Sequence, residues 1–251
     1  MPESDDRKKL AEEVARIDSQ MAALAELKRQ YLATLSCAGV LQPPVEIPVQ
    51  APLSPEDKIA MFRGYFRGRE DVYARRWENR AGRSGYSPVC KHEWNRTFCR
   101  KPEMKCAECQ NRELLPLDDG IIRQHLEGKL VAGVYPLLPN DNCFFLAMDF
   151  DGDSWREDIA AIRETCISEK VPATVERSRS GNGWHVWIFF NEAVPASLAR
   201  RLGTCLISKT MVKHCQLAIK SYDRLFPNQD MMPKGGFGNL IALPLQKEAT
   251  H

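Results

Sequence analysis

The spacing of apolar residues changes along the chain, and each spacing predicts a different kind of element. Between Asp5 and about Leu35, apolar residues recur alternately every four and three positions, apart from Lys28, where an apolar residue would be due. This heptad pattern predicts an N-terminal helix within residues 1–37. We expect it to form a coiled coil with a second copy or a partner helix through residues 5–35, or to dock on its own protein. Its apolar positions are Leu10, Val14, Ile17, Met21, Leu24, Tyr31 and Leu35.

A proline-rich stretch separates this helix from the rest of the chain. Residues 38–55 contain five prolines and almost no charge, a composition typical of an extended linker. We therefore place a second domain at residues 56–251. Ser54 as N-cap and Pro55 at the first helical position predict a helix that opens this domain and continues to about Phe66.

From Leu117 onward, helical and strand patterns alternate. This alternation predicts a fold of the α/β or α+β class with a central sheet. The first predicted helix begins at Asp118. A second opens at a capping box of Ser154 and Glu157 and continues to about Glu169, and a third runs from Pro195 to about Ala218. The predicted strands are Val131 to Leu138, Cys143 to Asp151, Ala173 to Ser178, Trp184 to Phe190 and Leu240 to Pro244.

Composition narrows the classes of protein. With 43% hydrophobic and 27% charged residues the chain should be a soluble globular protein, and a net charge of only +2 means that any basic surface has to be local. The sequence has no apolar stretch long enough to span a bilayer, and its start is acidic, unlike a signal peptide. We expect a cytoplasmic protein without a membrane partner. In a reducing compartment its nine cysteines are candidates for zinc binding or core packing rather than disulfides.

A local basic stretch runs from Phe62 to Tyr86, where arginines alternate with aromatic residues. Such a mixture suits contacts to phosphate and stacking on bases. The alternative is an ordinary amphipathic segment with a solvated charged face. The arginines are Arg63, Arg67, Arg69, Arg75, Arg76, Arg80 and Arg83.

Four cysteines follow within twenty residues, in the order C-x8-C-x6-C-x2-C, in a segment rich in Lys, Arg, Asn and Glu. A polar segment offers little core for thiols, so we expect a structural zinc site in a small module at about residues 86–112. Its ligands would be Cys90, Cys99, Cys106 and Cys109, with His92 as an alternative to Cys90. The remaining cysteines mostly lie in apolar patterns and are expected in the core.

Two carboxylates end the apolar strand that begins at Cys143. Asp149 and Asp151 are two residues apart, so both side chains lie on one face of the strand, where they could hold a hard divalent cation. They could also be ordinary turn residues. Further on, a Gly/Ser/Asn turn containing Arg179 precedes His185, which opens the next apolar strand. The backbone N–H groups and guanidinium of such a turn can bind phosphate, although His185 could instead be a satisfied core histidine. Together these features suggest metal-assisted phosphoryl or nucleotidyl transfer.

These motifs resemble those of a known superfamily. Asp149-Phe-Asp151, followed by Ser180-Gly-Asn-Gly-Trp-His185, is similar to the first two motifs of the archaeo-eukaryotic primase superfamily. The stretch from Ser221 to Asp230, together with the strand ending at Pro244, resembles the third motif. With the preceding cysteine cluster, the chain closely resembles, over about residues 56–246, the primase-polymerase domains of TOTE conflict systems and CRISPR-associated primase-polymerases.

The resemblance implies an archaeo-eukaryotic primase-like core, in which an RRM-like sheet carries the metal site and packs against an N-terminal α/β portion. It implies a DNA-directed primase-polymerase that makes and extends primers on single-stranded DNA from nucleoside triphosphates. Asp149 and Asp151 would bind two divalent ions, Mg²⁺ or Mn²⁺, with His185 also at the catalytic site. For the third carboxylate the family spacing favours Asp230, and Asp223 would then be structural. The residues expected to hold the triphosphate are Ser178, Arg179, Ser180, Gly181, Asn182, His185 and Lys234.

Two other functions fit the same residues. A metal-dependent nuclease could use the carboxylates and the histidine, and a non-catalytic module could bind nucleic acid through the arginine-rich stretch and the zinc site. The sequence contains no G-x-x-x-x-G-K-[ST] motif, so this chain has no helicase or ATPase engine of that type. The resemblance implies that helicase, CRISPR or other defence proteins would be its partners.

Overall fold

The computed structural model describes residues 10, 12–23, 26, 53–152, 154–179, 181, 183–214 and 219–247. The chain divides into two units, Met1–Pro52 and Leu53–His251. In the first unit residues 12–23 are helical, and the seam side chains in the described part are exposed. The end of the predicted heptad seam and nearly all of the predicted linker lie outside the described residues, and pairing through residues 5–35 stays a prediction. None of the helices described here is long and apolar enough to cross a membrane.

Within its described part, the second unit contains two four-stranded antiparallel sheets and four helices. The mixed α/β class is therefore as predicted, although two sheets replace the single central sheet. The helices are α1 Pro55–Tyr65, α2 Asp119–Leu126, α3 Trp155–Ser168 and α4 Ala196–Lys213. The strands are β1 Ala74–Glu78, β2 Ser84–Pro88, β3 Ala132–Val134, β4 Asn142–Asp151, β5 Thr174–Arg177, β6 Gly183–Pro195, β7 Tyr222–Phe226 and β8 Ile241–Ala242. The first sheet has the order β2-β1-β3-β8 and the second β5-β6-β4-β7.

Local capping chemistry fixes where the helices begin. The Ser54 hydroxyl accepts a hydrogen bond from the backbone N–H of Asp57 at 3.0 Å, so the predicted N-cap is confirmed. The Asp118 carboxylate accepts one from the N–H of Ile121 at 2.8 Å and caps the helix predicted to begin there. The capping box predicted at Ser154 is wrong. The Ser154 hydroxyl instead donates to the buried carboxylate of Asp158 at 3.0 Å, although α3 still begins at the next residue.

The strands differ most from their predicted lengths at the first sheet. β3 and β8 are short pieces of the predicted strands, whereas β6 continues five residues past Phe190 to Pro195. The hairpin of β1 and β2 was predicted only as an arginine-rich stretch. Both strands are partly solvated, and β1 carries arginines on both faces, so they lack the apolar alternation that identifies a half-buried strand.

The central strand β4 places alternate side chains in two separate cores. Leu146, Met148 and Phe150 pack in a cluster with residues of α3 and α4. Phe145 and Ala147 point the other way and pack with residues of α1, α2 and the first sheet. Burial of each large apolar side chain contributes on the order of 1.5–3 kcal/mol, so both faces fix the register of this strand. The carboxylates at its end continue the Phe145 and Ala147 series.

A fully buried histidine joins α2 to the first sheet. The backbone N–H of Ala132 donates to His125 Nδ1 at 3.3 Å, so the other ring nitrogen carries the hydrogen and donates to the Pro244 carbonyl at 2.9 Å. Burial lowers the pKa of His125, outweighing hydrogen bonds to backbone groups that act in the opposite direction. The folded protein therefore holds this imidazole neutral.

We expect the free energy of unfolding to fall as the pH drops below about 6.5, because the unfolded chain protonates His125 there and the folded chain does not. The contribution has a slope of at most about 1.4 kcal/mol per pH unit. In His125→Gln the amide can still donate to Pro244, but this pH-dependent contribution is lost. Urea unfolding of both proteins between about pH 7.5 and about pH 5.5 measures the difference. Equal slopes for the two proteins would contradict a neutral buried His125.

Candidate active site

Three carboxylates converge at the end of the second sheet. Asp149 and Asp151 come from β4 and Asp223 from β7, and one oxygen of each lies within 4.8 Å of the others. Among the residues that the structure describes, this is the one group of three or more His, Cys, Asp or Glu side chains that meet so closely. The sequence pattern favoured Asp230 over Asp223 as the third carboxylate.

The pairing of β4 with β7 explains why Asp223 joins the pair. Asp149 lies opposite Arg224 and Phe150 lies opposite Tyr222, so the register shifts between these two positions. The shift leaves Asp223 at an irregularity in the ladder, beside the end of β4. A β-bulge of this kind re-aims a side chain, and here the carboxylate lies with the other two.

The cluster is electrostatically strained. Burial and the negative charges of Asp149 and Asp223 raise the pKa of Asp151. Carboxylates so close together repel each other unless a cation lies between them. Hard divalent cations such as Mg²⁺ prefer carboxylate oxygens, so the donor set fits a divalent ion.

A histidine and a glutamate continue the site across the sheet. His185 on β6 lies between Asp149 on β4 and Glu176 on β5. Its Nδ1 is 2.8 Å from Glu176 Oε2, and its Nε2 is 3.4 Å from Asp149 Oδ1. The same Glu176 oxygen accepts a hydrogen bond from the indole of Trp187 at 3.4 Å. Glu176 therefore orients the imidazole, a role that no sequence motif indicates.

This arrangement keeps His185 positively charged. Burial acts to lower the pKa of His185, but its hydrogen bonds with Asp149 and Glu176 outweigh burial and raise the pKa to about 9. His185 is buried, and the partners of its two ring nitrogens are carboxylates of Glu176 and Asp149. A fixed imidazolium beside the carboxylates offers a cation to an anionic substrate.

The turn between β5 and β6 is closed by its own backbone. Ser178 N–H donates to the Gly183 carbonyl at 2.8 Å, and Gly181 N–H donates to the Ser178 carbonyl at 2.9 Å. The Arg177 guanidinium donates to the Gly181 carbonyl at 2.9 and 3.1 Å. Gly181 has φ 76°, a left-handed conformation that favours glycine.

Two further features concern the predicted triphosphate residues of this turn. The guanidinium of Arg179 lies near the hydroxyl of Tyr86 on β2, so the turn approaches the first sheet. Ser180 and Asn182 lie outside the described residues.

Gly183 brings the turn and the carboxylates together. A Cβ atom at this position would overlap Asp151 Oδ1 and would lie 3.1 Å from Ser178 Oγ. The absence of a side chain therefore allows the carboxylate and the hydroxyl to pack against the same backbone atom. Gly183 is recognisable in the sequence as part of the Gly/Ser/Asn turn, but its close approach to Asp151 is not predictable from the sequence.

A buried aspartate holds the chain that enters β7. Asp158 on α3 is 1% exposed and accepts hydrogen bonds from the N–H and the hydroxyl of Ser221, at 3.0 and 2.6 Å. The Ser221 carbonyl in turn accepts from the N–H of Asp151 at 2.7 Å. Asp158 thus positions the segment that joins Asp223 to the end of β4. No sequence pattern indicates this role of Asp158, because its partner Ser221 is far away along the chain.

Asp230 does not join the carboxylate cluster. It follows the end of β7 and pairs with the guanidinium of Arg200 on α4. The structure therefore brings Asp223, and not the favoured Asp230, to Asp149 and Asp151, because a residue within β7 lies alongside β4. Lys234 is exposed and precedes Gly235, whose carbonyl accepts a hydrogen bond from Arg112 at 3.0 Å. Its loop thus contacts the cysteine segment.

The four predicted zinc ligands line one small cavity. Their thiols are free and half-buried, and the backbone N–H of Glu113 donates to Cys90 Sγ at 3.3 Å. No three of these thiols lie as close together as the three carboxylates do. His92, the alternative ligand, lines the same cavity; its Nδ1 lies 2.8 Å from the Asn111 carbonyl and its Nε2 lies 3.3 Å from the Glu113 carboxylate.

Comparison with known families gives one match. The family model described as the archaeo-eukaryotic primase domain of TOTE conflict systems matches residues 57–251, which is most of the chain and includes every site residue described above. No curated protein matches the chain.

We expect Gly183→Ala to weaken Mn²⁺ binding by about tenfold or more, because the added methyl group displaces the Asp151 carboxylate. Isothermal titration calorimetry with MnCl₂ measures the change. Gly64→Ala is the matched control, because a Cβ at this exposed position of α1 meets no atom within 4 Å. Wild-type affinity in Gly183→Ala would show that Asp151 does not take part in metal binding.

Proposed function

The chain belongs to the family of archaeo-eukaryotic primase domains of TOTE conflict systems, and on this basis we propose that it is a DNA-directed primase-polymerase. Membership suggests a primase-polymerase-like nucleotidyltransferase. The proposal adds that the substrates are nucleoside triphosphates and a single-stranded DNA template, on which the protein starts and extends primers. The observation that carries it is the cluster of Asp149, Asp151 and Asp223 beside a cationic His185.

The three carboxylates are proposed to hold divalent ions, Mg²⁺ or Mn²⁺. Their oxygen donors fit such ions, and the raised pKa of Asp151 reflects negative charge that a cation would neutralise. When bound, a pair of divalent ions supplies charge neutralisation at the phosphoryl oxygens and favours ionisation of the attacking 3′-hydroxyl. Asp223 takes the place of Asp230 in this proposal.

The side chains around the carboxylates are proposed to bind the triphosphate. Nucleotidyl transfer joins the attacking oxygen to the α-phosphorus and expels pyrophosphate, so positioning and charge neutralisation matter more than a protein nucleophile. The imidazolium of His185, fixed by Glu176, supplies one positive charge that is already oriented. Because the N–H groups of Ser178 and Gly181 close the turn, the guanidinium of Arg179 is its main proposed cation for phosphate. The proposed contacts from this region are Ser178, Arg179, Ser180, Gly181, Asn182 and His185, and Lys234 is proposed to reach a phosphate from its loop.

Synthesis on an unprimed single-stranded DNA template, with labelled nucleotides and Mn²⁺ or Mg²⁺, tests the proposal. We expect template-dependent products from the wild type and at least about 100-fold less product from Asp149→Asn, Asp151→Asn and Asp223→Asn, because each removes a metal-binding charge. Asp230→Asn is the matched control and should remain active, since Asp230 pairs with Arg200 at the surface.

Other outcomes would lead to different functions. Degradation of labelled strands without nucleotides would identify a metal-dependent nuclease. Binding without synthesis, on primed and unprimed templates alike, would identify a non-catalytic module. An inactive Asp230→Asn together with an active Asp223→Asn would return the third carboxylate to Asp230.

We also propose that Cys90, Cys99, Cys106 and Cys109 bind a structural zinc ion. They share one cavity, and an N–H donor to a sulfur atom, as at Cys90, stabilises a thiolate ligand. Zinc would draw the four sulfur atoms into a tetrahedral set and stabilise a module that has little apolar core.

We expect the purified wild type to contain about one zinc per chain and Cys106→Ser to contain much less, because three thiolates bind zinc more weakly than four. Inductively coupled plasma mass spectrometry measures the metal, and a thermal unfolding scan should show a lower midpoint for the variant. Cys205→Ser is the matched control, since Cys205 is an exposed free thiol on α4. Equal zinc content in Cys106→Ser and Cys205→Ser would contradict the zinc site.

A further inference from the structure

We propose that a single strand of nucleic acid is held on a basic and aromatic surface formed by the β1–β2 hairpin and the cysteine segment. We call this the stacking surface and define it by Arg75, Trp77, Trp94 and Lys101. The inference rests on the proposed function and deepens it, because it identifies where the strand lies outside the carboxylate site.

Charge is the first observation that supports this surface. Residues 74–112 contain ten Lys and Arg against four Asp and Glu, a net charge of +6. The whole chain has a net charge of only +2, so the remaining residues are net acidic at −4. The positive charge of this protein is therefore concentrated in one segment. Such a local excess is the electrostatic footprint of a polyanion-binding surface.

An exposed tryptophan lies on the outer face of the hairpin. Trp77 is 44% exposed, and the alternation of the strand places it on the same face as Arg75. Its register partner on β2 is Gly85, and a Cβ at Gly85 would lie only 2.9 Å from the indole. One face of the Trp77 indole thus packs against Gly85 of β2, while much of the ring stays open to solvent.

A second exposed tryptophan lies on the cysteine segment. Trp94 is 66% exposed and has φ 62°, a left-handed backbone that bulky residues rarely adopt. The ammonium group of Lys101 lies 5.7 Å from the centre of its ring. An exposed aromatic ring beside a cation matches the pairing of base stacking with phosphate contact that single strands require.

One carboxylate links the two tryptophans. Glu93, next to Trp94, lies 2.8 Å from the ammonium of Lys101 and 3.5 Å from the guanidinium of Arg75. Arg75 is two residues from Trp77 on the same face of β1. The two rings therefore flank a single ion cluster and belong to one surface. The Glu93 and Lys101 side chains are only 13% and 16% exposed, so they hold the surface together, whereas Arg75, 51% exposed, is the cation open to phosphate.

The opposite face of the hairpin connects this surface to the carboxylate site. Arg76 lies opposite Tyr86 in the register, and the guanidinium of Arg179, in the turn beside His185, lies near the Tyr86 hydroxyl. A strand bound on the outer face would thus run beside the proposed triphosphate turn, separated from it by one layer of sheet.

The chemistry of the surface favours single strands over other occupants. The aromatic rings are separated by charged side chains, so they do not form the continuous apolar patch that a protein partner would cover. Stacking needs an exposed base face, which a duplex hides. Every base has such a face, so binding should tolerate any sequence.

Fluorescence anisotropy with a labelled oligothymidylate of about 20 nucleotides tests the inference. We expect Trp77→Leu and Trp94→Leu each to weaken binding by about tenfold, the loss typical of removing one base-stacking ring. Arg75→Gln should lower the salt dependence of binding by about 0.7 in the slope of log K against log salt. Leu198→Ala is the control, because Leu198 is a similarly exposed apolar residue on α4, outside the surface and outside the arginine-rich stretch. Its affinity should equal that of the wild type.

An oligouridylate of the same length forms a second arm, and a loss of affinity for both probes in the tryptophan variants supports sequence-tolerant stacking. Wild-type affinity in both tryptophan variants, with folding intact by circular dichroism, would overturn the inference. A loss confined to Arg75→Gln would overturn it as well, since binding would then be electrostatic without stacking. Equal affinity of the wild type for a duplex of the same length would also overturn it.

The inference and the proposed function can fail separately. The double variant Asp149→Asn/Asp151→Asn should lose synthesis but keep wild-type affinity for the oligothymidylate. If the wild type makes no product while the tryptophan variants still lose affinity, the stacking surface stands and the proposed function falls. If the wild type makes product and the tryptophan variants bind normally, only the stacking surface falls.

Discussion

The structure depends on β4 lying between β6 and β7 in one fixed register. Both faces of this strand are packed, with Leu146 and Met148 in one core and Phe145 and Ala147 in the other. A shift of one residue would exchange the two sets and turn Asp149 toward the helices, where it would lose its contact with His185. The same apolar packing that stabilises the sheet therefore determines which way the carboxylates point. The geometry of the carboxylate cluster at the end of β4 is a consequence of core packing farther along the strand.

The site then concentrates negative charge that the fold can only partly compensate. A buried aspartate and an exposed one show the contrast. Asp158 is satisfied by Ser154 and by the N–H and hydroxyl of Ser221, so its role is structural. At Asp151, desolvation together with its two carboxylate neighbours raises the pKa. Strain of this kind at a strand end is typical of a functional site, where a bound cation, and not the protein, completes the electrostatics.

Sequence reasoning succeeded where the deciding interactions are local. The N-caps at Ser54 and Asp118 and the apolar run that ends at Asp149 and Asp151 depend on neighbours within a few residues. It failed where distant strands decide. Asp223 joins the cluster because of a register shift between β4 and β7, and family spacing alone pointed to Asp230 instead. The pattern at Ser154 fitted a capping box, but its hydroxyl serves a tertiary hydrogen bond to Asp158 that no local pattern reports.

The β1–β2 hairpin shows why the first sheet accompanies the site. Its inner face reaches Arg179 through Tyr86, while its outer face carries Trp77 over Gly85. A rigid sheet one layer thick can thus fix the distance between the proposed triphosphate turn and the proposed stacking surface. A flexible loop carrying the same arginines would have to be ordered on each binding event, at a cost in conformational entropy for every residue. The weak apolar alternation that hid these strands from sequence analysis follows from this two-faced use, because both faces carry polar contacts.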